Sequence, residues 1–502
     1  MKLQRATWLP AVACVWTAVA CAPLSIGQGT ADLPPALKQL ADLQDSLAEL
    51  IAQVEPSVVA ISRAPSNDAA SRRDPFLDFD SRFGGLLGTP RDPFDPVGTG
   101  VVIGADGVIL TQYLNVRRGD QHLVTLSDGR KLPATIKAAD PRSGLAVLQV
   151  SASGLPALEF GDADALAKGH FVMTLGNPQS IIASGEPTAS WGMVSNIAQQ
   201  ATPTTNLNNT LDEGGRSYAT TLHHLGTLLQ LDARLNWSNG GGVVVDMSGK
   251  LVGITTVAGT LPGHESPAGY AIPMTRIFRR IVDDLKAGRE VEYGLLGLTL
   301  QPPQLLPAGA AGAVVDRVVP GSAAAKAGIR PEDRLIEVDG ETIQTVSDLQ
   351  LNVSSLPPNK PVTVRLIRDG RDLKLPVTLS KYYVRGDKLF TSGVRSWRGL
   401  KVDYSTAFPT SEIEQAAMQS RVDPDGCVVV VEVEPGSVAD QAGIKRGMFV
   451  SHVGEQRVTT PDEFYAAVEG AGETVNLRFA GPAAGSGAAM EEGPGVQIPP
   501  TE

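Results

Sequence analysis

The stretch from Gln230 to Ile254 reads QLDARLNWSNGGGVVVDMSGKLVGI. Three successive glycines, Gly240 to Gly242, lead into the apolar run Val243-Val244-Val245, and Gly249-Lys250-Leu251-Val252-Gly253-Ile254 carries a second run after a turn. This is a loop feeding a β-hairpin. Upstream, Gly98 to Thr111 holds two apolar runs around an Ala105-Asp106-Gly107 turn, again a hairpin signal. Gly98 and Gly100 precede a hairpin rather than a helix, so they do not form a nucleotide-binding fingerprint. The composition agrees with short strands: Gly (53) and Pro (36) are frequent and aromatics make up only 5%. A chain of 502 residues exceeds one core and implies about three domains. The net charge of −11 argues against a nucleic-acid partner, which calls for a basic face.

Four strings surround that reading: Pro56-Ser57-Val58-Val59-Ala60-Ile61, Thr111-Gln112-Tyr113-Leu114-Asn115-Val116, Asp140 to Leu148 (DPRSGLAVL), and Gly269-Tyr270-Ala271-Ile272-Pro273. Together with the opening stretch they resemble the HtrA/DegP family of trypsin-like serine endoproteases. The amphipathic segment Met274 to Ala287, carrying Ile277, Ile281 and Leu285, reads as the helix that closes such a domain. The resemblance implies a mainly β fold, a trypsin-like double β-barrel over 56–290. It also places the family's general base at Leu114, its orienting acid at Gly144 and its nucleophile at Gly240. Acyl transfer by this route needs a hydroxyl beside an acceptor nitrogen and a carboxylate that holds the imidazole tautomer. Leucine and glycine supply none of these, and loss of such a triad costs on the order of 10⁶ in kcat. The backbone N–H groups of Ser238 and Gly240 remain able to form an oxyanion hole, which depends on no side chain. Ser238, two residues from the vacated position, is the nearest substitute hydroxyl, but catalysis tolerates a displacement of only about 1 Å. Adjacent His223 and His224 point to opposite faces if they lie on a strand. No metal-ligand spacing occurs, and no cofactor is expected.

Downstream, Pro320-Gly321-Ser322-Ala323-Ala324-Ala325-Lys326-Ala327-Gly328-Ile329 recurs as Pro435-Gly436-Ser437-Val438-Ala439-Asp440-Gln441-Ala442-Gly443-Ile444. The repeat resembles the PDZ domains of HtrA proteins, which implies PDZ domains at 291–381 and 397–480 joined by a polar linker, 382–396. PDZ domains add an extended peptide to a sheet edge beside a loop that receives its terminal carboxylate. Leu295-Leu296-Gly297-Leu298 matches that loop in the first copy, with 346–356 as the helix walling the groove. In the second copy the loop is Trp397-Arg398-Gly399-Leu400, with Arg398 where an apolar residue is usual. Cys427 begins an apolar strand and is a small buried residue.

At the front, Lys2 and Arg5 precede an apolar run too short to span a membrane, the pattern of a signal peptide over 1–27. Cleavage after Ala20 would leave Cys21 as a lipid acceptor, and the protein would meet a membrane only by that route. Cleavage after Gly27 gives soluble export. A helix is expected within 33–55, with Leu40, Leu43, Leu47, Leu50 and Val54 on one face. It forms either a short coiled coil or a helix docked on its own barrel. Residues 64–97, with Phe76, Phe79 and Phe83, read as a long loop, and the Gly/Ala/Pro-rich tail 481–502 as disordered. The leading functional expectation is an exported, oligomeric pseudoprotease that binds peptides, C-termini or unfolded chains. The alternatives are an active serine endopeptidase and a regulatory subunit of an active HtrA relative.

Overall fold

The structure is a computed structural model and describes residues 34–63, 95–116, 121–201, 221–233, 235, 240–256, 268–302, 311–319, 321–419, 421–423, 425–472, 474–480 and 495–500. The leader with Cys21, most of the Phe-bearing loop and Ser238 lie outside them. The chain divides into two compact units, 1–49 and 50–502. In the first, the helix Pro35–Val54 begins, with Leu37, Leu40 and Leu43 exposed. Its last turn belongs to the second unit, where Leu50 and Val54 are buried.

The second unit opens with six strands: β1 (Val58–Arg63), β2 (Asp95–Gly104), β3 (Val108–Gln112), β4 (His122–Thr125), β5 (Lys131–Asp140) and β6 (Leu145–Val150). They pair in the order β5-β4-β1-β2-β3-β6, and β5 also pairs with β6, which closes the ring. Val59, Ile61, Val102, Ile109 and Leu148 fill it. A second closed barrel follows: β7 (Phe171–Gly176), β8 (Thr188–Gln199), β9 (Leu228–Leu231), β10 (Val243–Asp246), β11 (Leu251–Thr256) and β12 (Gly269–Pro273). β10 and β11 are the hairpin read from the opening stretch, with Val243 opposite Ile254. The helix Arg276–Lys286 closes this body, burying Phe278, Ile281, Val282 and Leu285.

The first PDZ domain contains β13 (Gly294–Leu295), β14 (Leu298–Leu300), β15 (Ala313–Val318), β16 (Arg334–Val338), β17 (Glu341–Thr342), β18 (Pro361–Arg368), β19 (Arg371–Thr378) and β20 (Ser380–Lys381). Its main sheet runs β14-β15-β16-β18-β19, so β14 lies at the end of the order. The helix Val346–Ser354 begins in a capping box of Thr345 and Asp348. After β21 (Leu389–Phe390), the second PDZ domain repeats this plan with β22 (Leu400–Tyr404), β23 (Val428–Val433), β24 (Phe449–Val453), β25 (Gln456–Arg457), β26 (Val475–Phe479) and β27 (Gly495–Ile498). The order is β22-β23-β24-β26-β27, and the helix Pro461–Gly470 again starts in a capping box, Thr460 with Glu463.

One expectation needs correction. The tail is not wholly without structure: Gly495–Ile498 pairs with β26 and Ile498 is fully buried. Alternating Val496 and Ile498 supply a strand-sized apolar face that the surrounding Gly and Pro hide in the composition. The linker expected at 382–396 also carries a short strand of its own. Leu389 and Phe390 pair with Ala139 and Ala138 on the edge of β5, which β4 covers only as far as Ala134.

Candidate functional site

The cleft between the barrels is built from the end of β3. There the chain leaves Gln112 for a 3-10 turn, Tyr113–Asn115, which brings Leu114, Gly144 and Gly240 together. Leu114 sits half-buried in this turn. The Tyr113 N–H donates to the Gly144 carbonyl at 2.7 Å. Asn115, buried, donates through Nδ2 to the Gly240 carbonyl at 3.0 Å and to Thr111 Oγ1 at 2.9 Å. The Thr99 N–H shares the Gly240 carbonyl at 3.0 Å.

The space beside both glycines is filled. A Cβ at Gly240 would stand 2.1 Å from Gln112 Nε2, which itself donates to Asn115 Oδ1 at 3.2 Å. A Cβ at Gly144 would stand 2.9 Å from His223 Nε2. Gly144 also has φ of +72°, a region that costs most residues with a Cβ roughly 1–2 kcal/mol. His223 and His224 lie on a 3-10 turn, Leu222–Leu225, rather than the strand expected for them. His223 is buried, its Nδ1 is 3.2 Å from Thr227 Oγ1, and its ring stacks on Phe278. Burial, with His224 adjacent, pushes its pKa down to about 4, so it is neutral at ordinary pH. His224 Nδ1 is 2.8 Å from Thr221 Oγ1. Among the described residues neither imidazole meets a carboxylate. Among the described residues, amides, hydroxyls and carbonyls join these positions.

The turn Asp140–Gly144 has a second role. Asp140 is buried and accepts from the Ser143 N–H at 2.8 Å and from the hydroxyl of Tyr293, just ahead of β13. Burial raises its carboxyl above the usual range against these bonds. Arg142 Nη2 donates to Ser354 Oγ at 2.9 Å, at the end of the first PDZ groove helix. Its guanidinium lies 3.7 Å over the Tyr382 ring and 5.1 Å over the Tyr293 ring.

In the first PDZ domain Leu295, Leu296, Gly297 and Leu298 line a cavity of ≈ 420 Å³, faced by Val346, Leu349 and Val353 of the helix. Gly297 has φ of +76°, and a Cβ there would stand 2.3 Å from Cβ of Ser322. The loop backs directly onto that serine, which caps its helix by accepting from the Ala325 N–H. Gly399 repeats the arrangement against Ser437. The second groove differs. Arg398 turns to the carbonyls of Ile498 and Pro499. The Tyr465 hydroxyl bridges helix to strand, accepting from the Val402 N–H at 3.3 Å and donating to the Arg395 carbonyl at 2.8 Å. Sequence reading missed Gln112, Asn115, Arg142 and Tyr465, because no local pattern announces partners so distant along the chain.

Residues 98–254 match the family model of the trypsin-like peptidase domain and residues 294–379 that of the PDZ domain. The periplasmic serine endoprotease DegP of Escherichia coli K12 is 30% identical over 443 residues, 82% of this chain and 85% of the relative. A probable DegP-like periplasmic serine endoprotease of Chlamydia muridarum is 29% identical over 468 residues, 87% of each. The periplasmic pH-dependent serine endoprotease DegQ of Escherichia coli K12 is 29% identical, over 86% of this chain and 88% of the relative. Among solved structures, the HtrA-type protease AlgWS227A with tripeptide shares the fold, at a TM-score of 0.50 and 23% identity over 67% of this chain and 98% of that one. With fold, domain order and relatives in agreement, this exported envelope protein belongs to the HtrA/DegP family of trypsin-like serine endoproteases.

Proposed function

We propose that this member of a serine endopeptidase family has given up hydrolysis and works by binding: its first PDZ groove takes peptides, exposed C-termini or unfolded chains, as an adaptor or chaperone. The observation that carries this reading is at Gly240, where a side chain would collide with Gln112 Nε2 at 2.1 Å. A nucleophile there lacks its atoms, and a side chain at 240 would first have to push the Gln112 amide aside. Leu114 and Gly144, joined to the same turn, contribute neither imidazole nor carboxylate. The open first groove, with β14 at the end of its sheet, suits strand addition of a peptide. The exposed row Leu37, Leu40 and Leu43 favours self-association.

An active endopeptidase is the second reading, favoured by relatives that are named serine endoproteases. A fluorophosphonate probe with peptide mapping separates the two. No labelled serine and no casein cleavage, alongside measurable peptide binding, is the expected outcome. Covalent labelling of any serine in the barrels would establish the enzyme instead.

A further inference from the structure

We propose that the chain's last strand, β27, is exchanged between copies, so that the sheet of the second PDZ domain in one molecule is completed by Gly495–Ile498 of another. The two PDZ domains close the same position in their sheets in different ways. In the first, β18 and β19 are joined by Asp369 and Gly370 alone, both at positive φ, +51° and +74°. That two-residue turn fixes the hairpin in its own sheet, and the strands pair over eight positions. In the second, β26 and β27 pair over only four positions, and residues 480–494 lie between them. Fifteen residues impose no turn geometry and reach roughly 50 Å when extended. On such a tether a strand's own β26 has no geometric priority over that of a neighbouring copy.

What β27 brings is needed wherever it comes from. Ile498 is fully buried in the core that holds Val475 and Leu477, and Val496 packs against it. Without that strand β26 would offer an open backbone edge with apolar residues laid bare beneath it, a template for pairing with another chain. Arg398, in the groove loop of this domain, donates to the carbonyls of Ile498 and Pro499 at 2.8 and 2.5 Å. The incoming strand therefore also orders part of the second groove. A single chain and an exchanged pair make these contacts alike, and the tether decides between them. As a tether lengthens, the effective concentration of a molecule's own strand falls. Association of chains, which the exposed Leu37, Leu40 and Leu43 favour, raises that of a neighbour's. A reciprocal exchange is self-complementary and closes as a pair.

Asn476 lies opposite Gln497 across the β26–β27 pairing, and cross-strand partners stand about 5 Å apart at Cβ. Full-length chains carrying Asn476→Cys and, in a form with a heavier tag, Gln497→Cys are co-expressed and treated with a short bismaleimide, which needs proximity rather than disulfide geometry. A crosslinked heterodimer is expected on a denaturing gel, and none when either variant is expressed alone. In a second construction Asp-Gly replaces residues 480–493, copying the turn between β18 and β19. This keeps the register of β26 with β27 and holds the strand in its own sheet. The mass of that variant by light scattering should fall about twofold from wild type, because each exchange links two copies. Co-expressed variants that give no heterodimer, or a mass unchanged by the short turn, overturn the exchange and leave β27 a strand of its own chain.

Discussion

The Gln112 amide fills the space into which a side chain at 240 would project, so placing a hydroxyl there is a repacking problem before it is a catalytic one. Gly240→Ser is expected to displace the Gln112 amide from Asn115 and cost about 1 kcal/mol, the net worth of one hydrogen bond. Urea unfolding checks the cost, and absence of fluorophosphonate labelling checks that the serine alone remains inert. His223 gives a second prediction. Its pKa near 4 lies below the ordinary 6.5, so the imidazole binds its proton more readily once the chain unfolds. Stability is therefore complete above about pH 6.5 and falls as the pH drops towards 4, by roughly 3 kcal/mol at most. Asp140, with its raised carboxyl, works in the opposite sense. The difference in urea midpoint between wild type and His223→Gln across that range isolates the histidine, and a flat difference would refute it. Leu114, Gly144 and Gly240 could be singled out from sequence because each sits inside a string that otherwise fits. The filling of the space beside Gly240 could not, since Gln112 and Gly240 meet only when two barrels are packed.

Among the elements, the two PDZ copies show how far a repeated string can be read and where it misleads. Pro-Gly-Ser recurs because each serine caps a short helix and each groove loop presses a glycine, Gly297 or Gly399, onto that cap. The string was legible for that reason. The use of the groove was not, because Tyr465 lies far along the chain from the strand it bridges. Tyr465→Phe should free the Val402 N–H on the edge of β22 and loosen the second groove, costing roughly 1 kcal/mol. A gain of labelled-peptide binding by a variant whose first groove is blocked would bear this out. The same weak affinity in both proteins would refute it. The strand β27 escaped notice for another reason: two apolar residues in a Gly- and Pro-rich tail are too few for periodicity to register.

For the whole molecule, Lys381 joins the first PDZ copy to Asp403 of the second. It is 4% exposed and meets Glu290 at 3.0 Å, and Glu292 and Asp403 at 2.9 Å each. Burial opposes its charge, but the three carboxylates outweigh it and raise its pKa. Lys381→Met would leave the mostly buried Glu290 and Asp403 without this cation, a change expected to cost up to about 3–5 kcal/mol in unfolding experiments. Burial already holds Glu292 and Asp403 above their ordinary range. Protonation therefore relieves the variant, and its deficit should narrow as the pH falls from about 7 to about 5. A deficit that stays constant would show that packing, not charge, holds this junction. The strand Leu389–Phe390 acts beside it. By joining β5, while the Asp387 carbonyl accepts from the Tyr113 hydroxyl, it staples the leash between the two modules halfway along its length. The terminal module is consequently tethered by the short remainder of the linker alone, so limited proteolysis should cut that remainder before it cuts at Leu389–Phe390.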